Sequence, residues 1–113
     1  TTMNHDAKTE RIRQLNDQLR ETFTGGRVVM TRGISALSET LRAEIIAAVQ
    51  EFDAFSEDND PHGEHDFLAV EVQGRKVFAK LDYYDVEMKF LSADPANPEI
   101  TRRVLTIMLA SEY

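Results

Sequence analysis

The residues best suited to chemistry in this chain lie together at 58–67, as Asp58-Asn59-Asp60-Pro61-His62-Gly63-Glu64-His65-Asp66-Phe67. Two of the three histidines and four carboxylates share this loop-like stretch, directly ahead of a strand-like run. Imidazole with carboxylate is a ligand set for zinc, iron, manganese or nickel, and the same pair performs general acid–base work. His62, Glu64, His65 and Asp66 are therefore the candidate ligands of a divalent metal, in a hydrolase or nuclease reading. A calcium loop of the EF-hand type is excluded. Asp58, Asp60, His62 and Gly63 imitate its early positions, but Ala69 stands where the closing bidentate glutamate is required. The helical His-Glu-x-x-His spacing of metalloproteases is absent too. A third role is structural, since Asp, Asn and His side chains close turns on neighbouring backbone.

A second group sits on the strand-like runs. Lys80, Asp82 and Tyr84 alternate with apolar residues, so they share a sheet face with Phe78. Glu87-x-Lys89 is similar to the Glu-x-Lys element of magnesium-dependent nucleases, in which carboxylates hold the metal and lysine orients water. Cross-strand pairing of charges on a wet sheet face explains the same residues without catalysis. Tyrosines beside charges also suit a protein-binding surface. No glycine-rich phosphate loop and no G-x-S-x-G elbow is present.

Charge is the strongest global signal. The 113 residues carry a net −7, and residues 43–74 hold nine acids without one base. Such a block repels phosphates, which argues against direct nucleic-acid binding, and attracts a basic partner protein or a cation. The candidate contact residues are Glu57, Asp58, Asp60, Glu64 and Asp66, with Tyr84 on the sheet. The absence of cysteine excludes disulfides and thiolate chemistry. No run approaches the ~20 apolar residues of a membrane span, and no signal peptide is evident, so the expected location is cytoplasmic. The oligomeric state is left open, a homodimer included.

The elements that must position these residues follow from periodicity. Residues 1–6 are expected to be a flexible arm of a single domain, 1–113. Residues 7–23 repeat Ile12, Leu15, Leu19 and Phe23 at helical steps, and Gly25-Gly26 ends the helix. Residues 27–31 suit a short strand. Ser38 caps a helix over 38–55 that places Leu41, Ile45, Ala48, Val49 and Phe52 on one face. Residues 67–72, 77–83 and 86–91 alternate with period two and predict an antiparallel three-strand meander. Asn97-Pro98-Glu99 predicts a closing helix bearing Ile100, Val104, Leu105, Ile107, Met108 and Leu109. The expected fold is α+β in the order α-β-α-β-β-β-α, with helices on one face of a mainly antiparallel sheet.

Several strings carry a family resemblance. They are Phe23-Thr24-Gly25-Gly26-Arg27, Asp53-Ala54-Phe55, the 58–67 stretch, Asp82-Tyr83-Tyr84-Asp85, and the ending from Val104 to Tyr113. Over nearly the whole chain the sequence resembles the uncharacterised family called domain of unknown function 3768, of alphaproteobacteria and their mobile elements. The resemblance implies no established activity and no catalytic residues. It implies a setting in which small cysteine-free proteins often inhibit host defence, as anti-CRISPR and antirestriction proteins do. The leading expectation is a non-enzymatic interaction protein, without cofactor, docking on a basic nucleic-acid-binding surface of a partner. A metal-dependent hydrolase is the alternative.

Overall fold

Helix α1 (His5–Thr22) buries Ile12 and Leu19 at the seven-residue step that brings side chains onto one face. The computed structural model describes residues 5–113. Positions 1–4 of the expected arm lie outside the described residues, whereas His5 and Asp6 already belong to α1. Strand β1 (Arg27–Met30) leads through the single turn α2 (Arg32–Ser35) into α3 (Glu39–Glu51). Ser38 caps α3 as its sequence requires, its hydroxyl accepting the Leu41 amide at 3.1 Å. That helix ends at Glu51 and not at residue 55, because Phe52 turns extended.

Strands β2 (Phe67–Val72) and β3 (Arg75–Tyr84) form a hairpin closed by Gln73 and Gly74, both at positive φ, 49° and 79°. Two left-handed residues match the twist of the flanking strands. Strand β4 (Arg102–Leu109) completes the sheet before a 3₁₀ turn (Ala110–Glu112). The sheet order is β1-β4-β3-β2, with β1 parallel to β4 and the other neighbours antiparallel. One sheet face presents Leu68, Val77, Ala79, Leu81, Leu105 and Ile107 to Leu19, Ile34, Ile45 and Val49 of the three helices. The fold is thus α+β, a single domain with helices packed on a mainly antiparallel sheet. No helix among the described residues is long and apolar enough to cross a membrane.

Two expected elements differ. Residues 86–91 are not the third strand of the meander, because β3 is already paired along both edges, to β2 and to β4. They form an extended turn gathered by Asp85, whose carboxylate accepts the amides of Glu87 and Lys89 at 3.2 and 3.1 Å. The third strand comes instead from the segment expected to be a closing helix. Val104, Leu105, Ile107 and Met108 are all buried, on both faces of a strand with neighbours on both sides. Burial on both faces makes a central strand a continuous apolar run, which also satisfies a wide helical face. Asn97 does not cap a helix; its side chain accepts the Glu99 amide at 3.0 Å in a local turn.

Candidate functional site

The 58–67 stretch is a tightly built turn pinned between α1 and the sheet. Asn59 accepts the Ser56 amide at 2.7 Å and donates to the Ala54 carbonyl at 2.9 Å. Asp60 is buried and accepts the His65 amide at 3.1 Å, and its carbonyl accepts the Gly63 amide. Gly63 and His65 both take positive φ, 70° and 54°. A histidine there is uncommon, and its environment explains why the conformation persists. The ring lies flat against Phe55, centroids 3.7 Å apart. Its Nδ1 meets the Asp17 carboxylate at 2.8 Å, and its Nε2 lies 3.6 Å from that of Asp60.

Asp17 also accepts from Arg20 at 3.1 Å. Arg20 is buried and spreads its other terminal nitrogen, Nη1, over the carbonyls of Val49, Gln50 and Phe52, at 2.9–3.1 Å. Those are orphan acceptors at the end of α3, so a cation from α1 terminates α3. Its guanidinium also lies 5.4 Å from the Phe55 ring centre. One α1 turn thereby fixes the end of α3, Phe55 and His65 together.

A second chain of bonds starts from the residue just before Asp17. Asn16 is fully buried and donates to the Glu64 carbonyl at 3.0 Å and to the Tyr83 hydroxyl at 2.8 Å. The Tyr83 hydroxyl in turn donates to the Glu64 carboxylate at 2.8 Å. The Asn16 oxygen accepts Arg103 Nε at 2.6 Å, and the Arg103 guanidinium also donates to the Pro95 carbonyl. The buried Arg103 is linked to the Glu64 carboxylate through Asn16 and Tyr83, without direct contact. Desolvation lowers the proton affinity of Arg103, and desolvation together with Glu64 holds the Tyr83 phenol neutral well above its ordinary range. Desolvation likewise raises Asp66, reinforced by the charges of Asp60 and Asp82.

The sequence-predicted residues therefore separate. Glu57, Asp58 and His62 are exposed. Asp60, Glu64 and His65 are engaged inside the turn, while Asp66 and Tyr84 are half-buried. His62, Glu64, His65 and Asp66 are not brought together: among the described residues no three His, Asp or Glu side chains converge as metal ligands. Glu87 and Lys89 are also misplaced by the meander expectation. They pair with each other at 3.8 Å on the exposed turn, while Asp82 pairs with Lys80 at 3.2 Å on the sheet.

Sequence reasoning missed Asn16, Asp17, Arg20 and Arg103. A signal for two of them was present: Asn16 and Arg20 stand four and eight residues after Ile12, on the stripe that α1 buries. A polar side chain on an apolar stripe calls for a partner.

A small α+β domain whose polar residues lock a loop, with acids left at the surface, is the class that this geometry defines. The chain belongs to the family described as "Protein of unknown function (DUF3768)", whose model matches residues 30–112. No curated protein and no solved structure matches the chain. The match begins at Met30, so α1 with Asn16, Asp17 and Arg20 lies outside it.

Proposed function

We propose that this protein is a non-enzymatic interaction module that docks an acidic flank on a basic surface of a partner protein. The observation that carries the reading is the block of nine acids without a base at 43–74, of which Glu44, Glu51, Asp53, Glu57 and Asp58 are exposed. They follow α3 and the loop after it, beside the edge strand β2 against which α3 packs. Because Asp60 and His65 are anchored, the loop bearing Glu57 and Asp58 is held before any partner arrives, which lowers the ordering cost of association. A concentrated acidic surface steers a basic partner and fits a surface built to hold nucleic acid. In the setting of mobile-element proteins, an inhibitor of a host defence complex, of anti-CRISPR or antirestriction type, uses such a surface as a nucleic-acid mimic. Tyr84 and the sheet-face charges are outside the flank and serve the fold in this reading.

The test is affinity capture from lysate of the source cell at about 0.05 and 0.5 M salt, where the screening length differs severalfold. The captured protein should have a basic nucleic-acid-binding surface and be displaced by nucleic acid. Glu51→Gln, Asp53→Asn, Glu57→Gln and Asp58→Asn combined should abolish capture while leaving the melting temperature unchanged. Capture that survives both the fourfold variant and high salt refutes the reading.

A further inference from the structure

At the end of the sheet where β1 and β4 begin, the turn at 86–91 overhangs a groove of about 540 Å³. That volume lies within the range of ordinary ligand sites. Val86, Met88, Pro98 and Val104 supply apolar walls, and Arg27 and Arg102 line the same groove. Both arginines are exposed, and neither side chain has an ion-pair or hydrogen-bond partner among the described residues. This differs from Arg20 and Arg103, which are buried and fully directed inward.

Beyond the groove the turn carries Phe90 and Leu91, 72% and 78% exposed, with Val86 and Met88 at 50% and 40%. Four large apolar side chains exposed within six residues form the kind of patch that marks a contact site. The turn is not a frayed loop. Asp85 gathers its amides, Asp85 N–H bonds the Phe90 carbonyl at 2.8 Å, and Tyr84 bridges Leu91.

We propose that this groove and its overhanging turn form a second docking site, for an acidic peptide segment carrying large apolar side chains. The two unpaired guanidinium groups select carboxylates, which they can grip with two parallel bonds each. The apolar walls and the Phe90–Leu91 rim take the side chains between those carboxylates. Polyphosphate is the poorer fit. The remaining charges on the turn are Glu87 and Lys89, already paired, and Asp85, which faces inward to the amides. A chain of net −7 offers a nucleic acid no continuous basic track.

The test is fluorescence anisotropy with a short fluorescein-labelled peptide that alternates aspartate with leucine and phenylalanine. Two comparison peptides replace either the apolar residues with serine or the aspartates with asparagine. Saturable binding is expected for the first peptide alone, weakened about tenfold or more by Arg27→Gln with Arg102→Gln, and likewise by Met88→Gln. All three substitutions change exposed side chains, and unchanged melting curves verify the fold. The fourfold acidic-flank variant should bind the peptide no more weakly than the parent, which separates this site from the flank. Failure of the peptide to saturate overturns the proposal, as does equal binding by the arginine variant. So does an oligodeoxynucleotide that binds as tightly through the same arginines. Self-association abolished by Arg27→Gln and Arg102→Gln also overturns it, since the occupant would then be a second copy of the chain.

Discussion

Replacing Asn16 with alanine tests whether the α1 network, and not the loop sequence alone, holds the 58–66 turn. Three hydrogen bonds disappear: to the Glu64 carbonyl, to the Tyr83 hydroxyl and from Arg103 Nε. The two bonds between neutral groups contribute about 1 kcal/mol each, and the one from a charged donor about 1.5–3 kcal/mol. Alanine is the better helix former, which returns on the order of 0.5 kcal/mol. The expected net loss is therefore about 3–4.5 kcal/mol, a large part of the ~5–15 kcal/mol that holds a small domain together.

Urea titration followed by far-UV circular dichroism measures this directly. The midpoint should fall while the slope stays constant, and the melting temperature should drop by on the order of 10 °C. Tyr83→Phe removes a hydroxyl that Asn16 shares with Glu64, so the two substitutions should couple in a double-mutant cycle by about 1 kcal/mol. An Asn16→Ala cost below about 1 kcal/mol, with an unchanged slope, refutes the reasoning. It would mean that water or rearranged side chains satisfy Arg103 and Tyr83 without Asn16.

Two further outcomes follow from the same geometry. His65→Ala removes the bond to Asp17 and the stack on Phe55, so it should cost about 2–4 kcal/mol in urea titration, with partner capture weakened but not abolished in the folded fraction, because the loop loses an anchor and no contact; a fully stable variant that captures nothing would make His65 a contact residue. Asp66 is raised by burial, so the native state holds its proton more tightly than the unfolded chain, and its cost is absent below the unfolded carboxylate range and fully present above the folded one; Asp66→Asn should raise the urea midpoint at pH ~7, with the gain vanishing near pH ~3, and a gain independent of pH would refute that cause.

How legible this fold was depends on whether a signal was local. Helix α3 was readable because Ser38 and the Leu41, Ile45, Val49 stripe act within one element. The β2–β3 register was equally readable: Leu81 is buried and Lys80 lies outward, as alternation requires. Val70 packs against the same helix-facing core. The segments 86–91 and 102–109 were not readable, since each carries an apolar pattern compatible with two structures. Which one forms is decided by competition for a place in the sheet. β4 takes the inner position between β1 and β3, leaving no edge of β3 for 86–91.

The candidate site divides the same way. The turn-forming role of Asp60 and Asn59 is local and was visible as one of three readings. Its locking by Asp17, Asn16 and Tyr83 rests on contacts 48 and 67 residues apart in sequence, which spacing within the loop cannot reveal.

The division between locked and free acids bears on what the acidic block is for. A block kept only for solubility has no need of a fixed loop, because solvation of charge is indifferent to geometry. Here Asp60 and Glu64 are spent on internal bonds at the cost of desolvation, and they hold Glu57 and Asp58 beside the end of α3. That end is itself closed by a buried arginine from another helix, so the positions of Glu51 and Asp53 depend on α1 as well. Four exposed acids are thus presented on backbone whose freedom was removed on folding. Ordered charges favour a partner with one charge pattern over another, which mobile charges do poorly.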